Sequence, residues 1–324
     1  MTGLKLLPYV VGQWVRGDRF YGRRSQLAEV LEGQRDSLWV VGTRRVGKTS
    51  LLRQMEWIAA STPESGFEPL FWDLQGAGDP AELHLSFHDA LLDSEERWTK
   101  AGVEVGALDP SNLFGSLTIL RRQVGASGRR LLLLCDETEE LLDLHHKAPS
   151  LLLKLRRAVQ ATADVRVVLA STLRLWELAR HGSDTSPFLH GFQPAVYLAA
   201  MTDEEALALV VQEHLPRQER PPLLPEVARK ICIACGNHPY LLHIVAKKYL
   251  ELGDLEEALD HVRSDQMVSH FFGVDYAMLS AQEQEVLQTL AQSGSMGREE
   301  LEVRAGTEPG GLNGSLLRLE NLGF

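Results

Sequence analysis

A short segment of the chain carries residue types and a spacing that suit phosphate binding. It reads Gly-Thr-Arg-Arg-Val-Gly-Lys-Thr from Gly42 to Thr49 and matches the pattern G-x-x-x-x-G-K-[ST]. Gly42 and Gly47 allow the backbone to curl, so that successive N–H groups point at phosphate oxygens. Lys48 would reach the β- and γ-phosphates, and the Thr49 hydroxyl would hold Mg²⁺. The segment therefore predicts a magnesium-dependent site for a nucleoside triphosphate.

Two acidic residues follow a strongly apolar run further along the chain. Asp136 and Glu137 come directly after residues 131–135. Asp136 is a candidate Mg²⁺ ligand, and Glu137 is a candidate catalytic residue that would orient a water for in-line attack on the γ-phosphorus. Alternatively, Asp136 caps a helix that begins at Glu137, and the two roles are compatible. We interpret the neighbouring Glu139 and Glu140 as surface charge.

Polar residues also follow the apolar run at residues 165–170. Ser171 comes directly after this run, and Arg174 lies three residues later. Ligands of parallel α/β sheets bind at the carboxyl ends of strands, so Ser171 would touch the γ-phosphate or the attacking water, and Arg174 would detect it. Equally, a Ser-Thr pair at this position serves to cap the next helix. The chain has no Asn-Lys-x-Asp sequence, which favours adenine over guanine as the base.

The elements that must position these residues can be read from the hydrophobic pattern. Apolar runs, each short enough for a strand, occur at residues 37–41, 70–74, 131–135 and 165–170. Helical patterns follow or separate them at residues 51–58, 81–100, 113–124 and 150–161. Strands of nearly continuous Leu, Val and Ile indicate burial on both faces. We therefore predict an α/β fold, with a parallel sheet covered by helices on both faces.

Beyond Leu198 no further strand-like run occurs, and the pattern becomes helical. Two capping boxes, Thr202 with Glu205 and Ser280 with Glu283, predict the starts of helices. The predicted helices of this part end near residue 214, cover 225–234, end near 291, and cover 298–303 and 312–322. We place domain boundaries near residues 200 and 274. The three short helices after the second boundary are typical of a helix-turn-helix or winged-helix module.

The composition excludes several classes of protein. The chain has 324 residues, 44% of them hydrophobic, and a formal net charge of −11. Three cysteines provide no disulfide framework, and no apolar run is long enough to span a bilayer, so we expect a soluble cytoplasmic protein without a membrane partner. Residues 275–324 contain three arginines and eight acidic residues. This local acidity disfavours nucleic acid as a partner.

A second group of residues has the types of a zinc site. Cys232, Cys235, His238 and His243 follow one another at short spacings. The segment around the cysteines is apolar, and Pro239 falls between the two histidines. Free cysteine in such a segment behaves as a small hydrophobic side chain, so we favour a core role over zinc binding.

With these residues assembled, the chain resembles the STAND and archaeal-type ATPases, a branch of the AAA+-like P-loop group. The matching segments are residues 8–11 with 17–23, 44–52, 72–76, 136–137 and 236–242. The resemblance implies a P-loop nucleotide-binding domain at residues 1–200 with an adenine-side segment at 1–36, a helical lid at 201–273 and a winged-helix-like domain at 274–324. The chain ends at Phe324, where a winged helix would continue into its β-wing, so we expect either a missing wing or a longer natural protein.

The same resemblance implies the residues of an ATP or ADP site. It places Tyr9, Val10 and Val11 against adenine and Pro239 at the border of the base, and it assigns Arg45, Val46 and Ser50 to the phosphate loop together with Gly42, Gly47, Lys48 and Thr49. Lys48 also belongs to the expected catalytic group. The basic residues that follow Pro239 are His243, Lys247 and Lys248, so a sensor-2 arginine is not evident, and we expect slow hydrolysis.

The function implied by the resemblance is that of a signalling switch. ATP binding with Mg²⁺ would control self-association or contact with a protein effector. Two alternatives remain open. The first is a DNA-binding or DNA-remodelling ATPase of the origin-recognition or transposition-regulator type, and the second is a nucleotide sensor that retains ADP with negligible hydrolysis.

Overall fold

The apolar runs form neighbouring strands of one sheet in the computed structural model, which describes residues 8–160, 163–180, 188–308 and 310–324. The strands are β1 (Ser37–Val41), β2 (Phe67–Asp73), β3 (Arg130–Asp136), β4 (Val165–Ser171) and β5 (Val196–Tyr197). Their order across the sheet is β2-β3-β4-β1-β5, and the pairs β2 with β3, β3 with β4 and β1 with β4 are parallel. Strand β1, which leads into the glycine-rich segment, therefore lies inside the sheet.

Helices connect the strands and make up most of the described C-terminal part of the chain. Those before β5 are α1 (Arg24–Leu31), α2 (Lys48–Ser61), α3 (Pro80–Leu92), α4 (Glu95–Lys100), α5 (Leu113–Ala126), α6 (Leu141–Lys147), α7 (Pro149–Gln160) and α8 (Glu177–Arg180). Those after it are α9 (Asp203–Val210), α10 (Pro225–Ala234), α11 (Pro239–Leu252), α12 (Leu255–Arg263), α13 (Gln266–Ala277), α14 (Ala281–Ser293), α15 (Arg298–Arg304) and α16 (Asn313–Asn321). The predicted α/β fold with a parallel sheet and a helical C-terminal region is confirmed.

The register of the sheet brings the ends of the functional strands together. Val41 at the end of β1 pairs with Ser171 at the end of β4. Asp73 at the end of β2 pairs with Asp136 at the end of β3. Because the strands are parallel, the glycine-rich segment and the acidic pair leave the sheet at the same edge, which is where ligands bind in open α/β sheets.

One predicted helix is divided into two. The pattern over residues 81–100 forms α3 and α4, which are separated at Asp93 and Ser94. The Ser94 hydroxyl donates a hydrogen bond to the Ala90 carbonyl oxygen (3.0 Å) and accepts one from Trp98 Nε1 (3.0 Å). A serine that bonds to a helix carbonyl competes with the backbone ladder, and the break lets the Trp98 side chain become fully buried. The sequence did not predict strand β5, because two residues are too few to show a hydrophobic period.

Both predicted capping boxes are present. Thr202 and Glu205 bond reciprocally at the start of α9, and Ser280 and Glu283 do so at the start of α14. Helix α9 ends at Val210, earlier than predicted, whereas α10 has the predicted bounds. Helix α7 ends at Gln160, and residue 161, the predicted end, lies outside the described part of the chain.

The chain divides into two units, which we describe separately. The helical unit consists of the described residues of Met1–Gly12, Gly42–Val46 and Tyr197–Phe324, and the sheet unit consists of those of Gln13–Val41 and Gly47–Val196. No helix in the described part of the chain is both long enough and apolar enough to cross a membrane.

Candidate nucleotide-binding site

The glycine-rich segment, residues 42–49, is a sharply curved loop between β1 and the start of α2. It turns at Arg44 and Arg45, and α2 begins at Lys48. Arg45 and Gly47 have left-handed backbone conformations, with φ of 62° and 101°. Left-handed residues in a tight turn bring neighbouring N–H groups to one side, and the helix N-terminus adds its own N–H groups. This phosphate loop therefore has the curvature that anion binding requires.

The two glycines of the loop are needed for different reasons. A Cβ on Gly42 would lie 2.7 Å from Val46 Cγ1 and 2.8 Å from the Leu198 carbonyl oxygen, so the protein's own atoms exclude a side chain there. No atom lies within 4 Å of a Cβ built on Gly47, but its φ of +101° strains any other residue. A glycine is therefore required at position 42 because Val46 and Leu198 pack against its Cα.

Asp136 provides the clearest sign of a cation site in the sheet unit. Its carboxylate is 3% exposed, and its Oδ1 atom is buried without a hydrogen-bond partner. Burial raises its pKa, while a hydrogen bond with the Thr49 side chain and the charge of Lys48 lower it. An unpartnered buried carboxylate oxygen is costly, and Mg²⁺ prefers such oxygens as ligands. The two predicted Mg²⁺ ligands, Asp136 and Thr49, are thus in contact, and the residues fit the ion.

The described residues contain no group of three or more His, Cys, Asp or Glu side chains that could hold a metal by themselves. Mg²⁺ commonly takes one or two protein ligands and completes its shell with phosphate oxygens and waters. Asp136 and Thr49 could supply two such ligands.

Glu137 is held in a left-handed backbone conformation with a φ of 50°. The residues on either side of it are anchored, because the Asp136 carbonyl accepts a hydrogen bond from Leu74 N and the Thr138 hydroxyl donates one to the Ala170 carbonyl. Such anchors maintain a conformation that costs about 1–3 kcal/mol. The helical turn that follows begins at Thr138, one residue later than the capping alternative for Asp136 expects, and its N-cap position is Glu137.

The environment of the Glu137 carboxylate suits a base. Burial, together with the nearby Glu139 and Asp136 carboxylates, raises the pKa of Glu137 to about 7, against the opposing charge of Lys48. The side chain still reaches solvent. A carboxylate whose pKa lies near neutral pH is well matched to accept a proton from an attacking water.

Glu139 is not the surface charge that the sequence suggests. Its Oε1 accepts a hydrogen bond from Thr172 N at 2.6 Å, and its Oε2 is buried without a hydrogen-bond partner. The side chain thus ties the segment after β3 to the end of β4. In the sequence, the only sign of this role is that Glu139 lies two residues after the acidic pair. Glu140 lies in the same acidic stretch, so the sequence does not distinguish the two.

Ser171 and Arg174, the predicted γ-phosphate residues, are placed differently from each other. The Ser171 side chain is fully buried; its hydroxyl accepts a hydrogen bond from Trp39 Nε1 (2.8 Å) and donates one to the Thr172 carbonyl (2.9 Å). This geometry favours a structural role for Ser171. Arg174 is exposed. The Thr172 hydroxyl accepts a hydrogen bond from the backbone N of Arg174, so Thr172 caps the short helical turn that follows β4, as the capping alternative predicts.

In the helical unit, the first part of the phosphate loop contacts helix α13. Asp275, which is 2% exposed, accepts hydrogen bonds from Arg44 N (2.7 Å) and Arg44 Nη1 (3.3 Å). The Arg45 guanidinium lies over the Phe271 ring, with 4.5 Å between Cζ and the ring centroid, and 5.8 Å from the Tyr240 centroid. Nothing in the local sequence pattern of α13 indicated either contact.

The residues expected beside the base also lie in the helical unit. Tyr9 is 4% exposed, its hydroxyl donates a hydrogen bond to the Val210 carbonyl (2.5 Å), and its ring meets the edge of His243 at 6.1 Å. His243 follows Pro239 by one helical turn in α11. The structure therefore brings the N-terminal segment and the Pro239 turn to the same helix. Tyr9 is occupied by packing, which leaves the half-exposed Val10, Val11 and Pro239 as the side chains available to a base.

Val46 and Ser50, two further residues expected at the phosphate site, have side chains that make contacts within the protein. The Val46 side chain is 1% exposed and packs within the protein, so it would offer only its backbone. The Ser50 hydroxyl accepts a hydrogen bond from Val15 N (3.1 Å), and the Gln54 side chain accepts one from Gly17 N (2.7 Å). These two hydrogen bonds hold residues 15–17 against α2.

The thiols considered for zinc are buried. Burial raises the pKa of Cys232 to about 11 and that of Cys235 to about 12. Buried free cysteines behave as small hydrophobic side chains, which agrees with a core role for this segment.

The fold and this geometry can be compared with known proteins. A Walker-type ATPase of Pyrococcus abyssi superposes with a TM-score of 0.67 at 16% sequence identity, and the alignment covers 98% of this chain and 93% of that one. The chain has the fold of a P-loop ATPase. The ORC2 protein of Aeropyrum pernix, solved in ADPNP-ADP complexes, superposes with a TM-score of 0.55 at 14% identity, covering 92% of this chain and 83% of that one.

No family model matches the sequence. No curated protein matches it either. The likeness is therefore one of P-loop ATPase fold, and the function of this chain must be argued from its own residues.

Proposed function

We propose that this chain is a magnesium-dependent, slow ATPase that acts as a nucleotide-controlled switch. The observation that carries the proposal is the buried Asp136 carboxylate, which bonds with Thr49 at the start of α2 and retains one oxygen without a hydrogen-bond partner. A phosphate loop followed by such a carboxylate is the arrangement that Mg²⁺ and a triphosphate would complete. The ADPNP and ADP complexes of the A. pernix ORC2 protein, which shares the fold, support the choice of an adenine nucleotide.

Each residue has a defined task in this proposal. The loop N–H groups and Lys48 neutralise the β- and γ-phosphates, and Thr49 and Asp136 hold Mg²⁺, which would stabilise charge on the phosphate oxygens. Glu137 orients the attacking water and takes its proton. Val10, Val11 and Pro239 border the base. Ser171 has a structural task, and Arg174 remains a candidate for contact with the γ-phosphate.

One feature supports slow turnover. His243, a basic residue after Pro239, is buried, and burial lowers its pKa to about 4. It is therefore neutral at neutral pH and cannot provide the positive charge of a sensor arginine.

The switch follows from differential contacts with ATP and ADP. A γ-phosphate near Glu137 and the end of β4 would favour one arrangement of the chain, and its loss would favour another. The helices at residues 201–273 and 274–324, which we assign as a lid and a winged-helix-like module, are the parts that would report the change. Self-association or a protein effector would read it.

A DNA-remodelling ATPase is the second candidate that the sequence leaves open. The charges of residues 275–324 oppose it. Each of the three arginines in this segment is paired with a glutamate: Arg298 with Glu302 (3.2 Å), Arg304 with Glu300 (2.7 Å) and Arg318 with Glu283 (3.4 Å). A duplex-binding face normally offers arginines to phosphate. DNA-stimulated, salt-sensitive turnover would favour this candidate over the switch.

The first test identifies the nucleotide and its site. Purified protein is denatured, and the released nucleotide is identified by chromatography; we expect ADP or ATP. Lys48→Ala should weaken ADP binding at least about 100-fold, because the phosphates lose the ammonium group that would reach them. Lys100→Ala, which alters an exposed lysine of α4, is the matched control and should bind normally. Equal affinity of the two variants would refute the phosphate site.

The second test concerns hydrolysis. Glu137→Gln should retain ATP binding but turn over at least about 100-fold more slowly, because it cannot accept the proton of water. If this variant hydrolyses ATP at the wild-type rate, another residue activates the water. If the wild type itself retains ADP and shows no turnover, the sensor alternative replaces the ATPase.

A further inference from the structure

Helix α13 contacts two adjacent residues of the phosphate loop, although the helix and the loop are far apart in the sequence. Asp275 binds the backbone N–H and the guanidinium of Arg44, and Phe271 lies under the guanidinium of Arg45. Phe271 and Asp275 are one helical turn apart, so they lie on the same face of α13. All four residues belong to the helical unit.

The Asp275 contact fixes the backbone of the loop, not only a side chain. One carboxylate oxygen accepts the Arg44 N–H at 2.7 Å, and the other accepts from the guanidinium of the same residue at 3.3 Å. Asp275 is 2% exposed, so water offers little competition for these bonds. Hydrogen bonds to an ionised carboxylate are about twice as strong as neutral ones. The turn at Arg44 is therefore held from outside the loop.

The Phe271 contact acts on the next residue, where the backbone is strained. Arg45 is a non-glycine residue with a φ of +62°. Such a conformation persists only where the surroundings maintain it. The ring of Phe271 at 4.5 Å and the ring of Tyr240 at 5.8 Å attract the guanidinium and hold the side chain in one place. Two independent contacts thus maintain two successive dihedral conformations of the loop.

We propose that Asp275 and Phe271 are positioning residues that hold the phosphate loop in its phosphate-binding shape. This proposal rests on the proposed nucleotide site and adds a coupling to it. A loop that is already curved does not have to be ordered when phosphate binds, so affinity rises. By thermodynamic linkage, bound phosphate stabilises the α13 contact to the same extent. The C-terminal helices thereby sense the occupancy of the loop.

The test compares ligands that have phosphates with one that has none. The affinities of the wild type, Asp275→Ala and Asp275→Asn for ADP, pyrophosphate and adenosine are measured by calorimetry. We expect Asp275→Ala to bind ADP and pyrophosphate about tenfold more weakly and adenosine as well as the wild type does. Asp275→Asn keeps an acceptor for the Arg44 N–H but loses the charge, so its loss should be smaller. Asp260→Ala removes an exposed carboxylate of α12 and is the matched control.

A second variant and a second measurement guard against misfolding. Phe271→Leu keeps an apolar side chain but removes the aromatic face, and it should weaken pyrophosphate binding less than Asp275→Ala does. Hydrogen exchange of residues 42–49, measured without nucleotide, should be faster in both variants than in the wild type. Addition of pyrophosphate to the wild type should slow exchange in α13.

The outcomes separate this inference from the proposed function. Unchanged or tighter ADP binding by Asp275→Ala would overturn the inference, and so would an equal loss of ADP and adenosine, which would indicate general unfolding. If the wild type binds none of the three ligands, the proposed function fails. In that case unchanged hydrogen exchange of the loop in the variants would also refute the positioning role.

Discussion

Two buried aspartates contact the two halves of the phosphate loop, and their surroundings differ. Asp136 in the sheet unit bonds with Thr49 and keeps its Oδ1 atom without a hydrogen-bond partner. Asp275 in the helical unit has both oxygens bonded to Arg44. One carboxylate therefore retains capacity for a cation, and the other uses both oxygens to hold the chain.

Burial of an acidic side chain near a phosphate loop therefore does not by itself identify the role of that side chain. The decisive property is whether the protein satisfies the carboxylate. An unsatisfied oxygen beside a lysine and a threonine suits a metal ion, whereas a satisfied carboxylate fixes a backbone conformation. Asp136 is thus the candidate ligand for a cation, whereas Asp275 fixes the backbone of the loop.

The largest expected effect is a difference between variants of the two aspartates in the Mg²⁺ dependence of ATP turnover. Asp136→Asn should lower ATP turnover at least about 100-fold and remove its stimulation by Mg²⁺, because the ion loses a charged ligand. Asp275→Asn should retain the Mg²⁺ requirement when ATP is saturating. A titration of turnover with Mg²⁺ measures both. The comparison breaks down if the two variants lose their Mg²⁺ response to the same degree.

The next effect concerns the glycines in the two halves of the loop. Gly42→Ala should destabilise the protein by about 1–3 kcal/mol, because the new Cβ collides with Val46 and the Leu198 carbonyl. Gly47→Ala should cost about 1–2 kcal/mol through backbone strain alone. Unfolding in urea gives both free energies. Gly125→Ala, at an open position in α5, is the control and should be neutral or stabilising.

A pH profile of turnover tests the sheet unit more finely. Because Glu137 has a pKa of about 7 and acts as a base only when deprotonated, turnover should rise about tenfold between pH 6 and pH 8. Glu139→Gln removes a negative charge that raises this pKa, so the half-maximum should move to lower pH. A profile that is flat in the wild type would contradict the assignment of Glu137.

The smallest effect lies in the helical unit, where His243 is buried and uncharged. Its pKa of about 4 in the folded state lies below the ordinary value of 6.5, so the unfolded state binds the proton more readily, and stability falls as pH falls. Between pH 7 and pH 6, the wild type should lose about 0.7 kcal/mol relative to His243→Leu. Urea unfolding at both pH values checks this, with the exposed His261→Leu as control. An equal acid response of both variants would place the titration elsewhere.

Much of the fold was predictable because its signals are local. The bounds of β1 and α10 and the two capping boxes match the sequence prediction, since a strand period, a proline start and a Thr-x-x-Glu spacing act over a few residues. The phosphate loop was recognisable for the same reason. The contact between Thr49 and Asp136 followed from the rule that parallel strands end at one edge of the sheet.

Other features had no local signal. Ser171 and Glu139 both stood near strand ends, yet the structure buries the Ser171 hydroxyl and makes Glu139 the acceptor for Thr172 N. The division between α3 and α4 depends on Ser94 and the burial of Trp98. In each case neighbours from elsewhere in the fold, or a side-chain bond that competes with the helix, determined the outcome.

The sequence was enough to predict the type of sheet and the place of the phosphate-loop motif between a strand and a helix, because periodicity and short spacings are properties of neighbouring residues. Only in the folded chain does Asp136 keep an oxygen without a hydrogen-bond partner while both oxygens of Asp275 are bonded. Whether a buried carboxylate is satisfied depends on which donors reach it, and the donor to Asp275 comes from Arg44, at the opposite end of the chain.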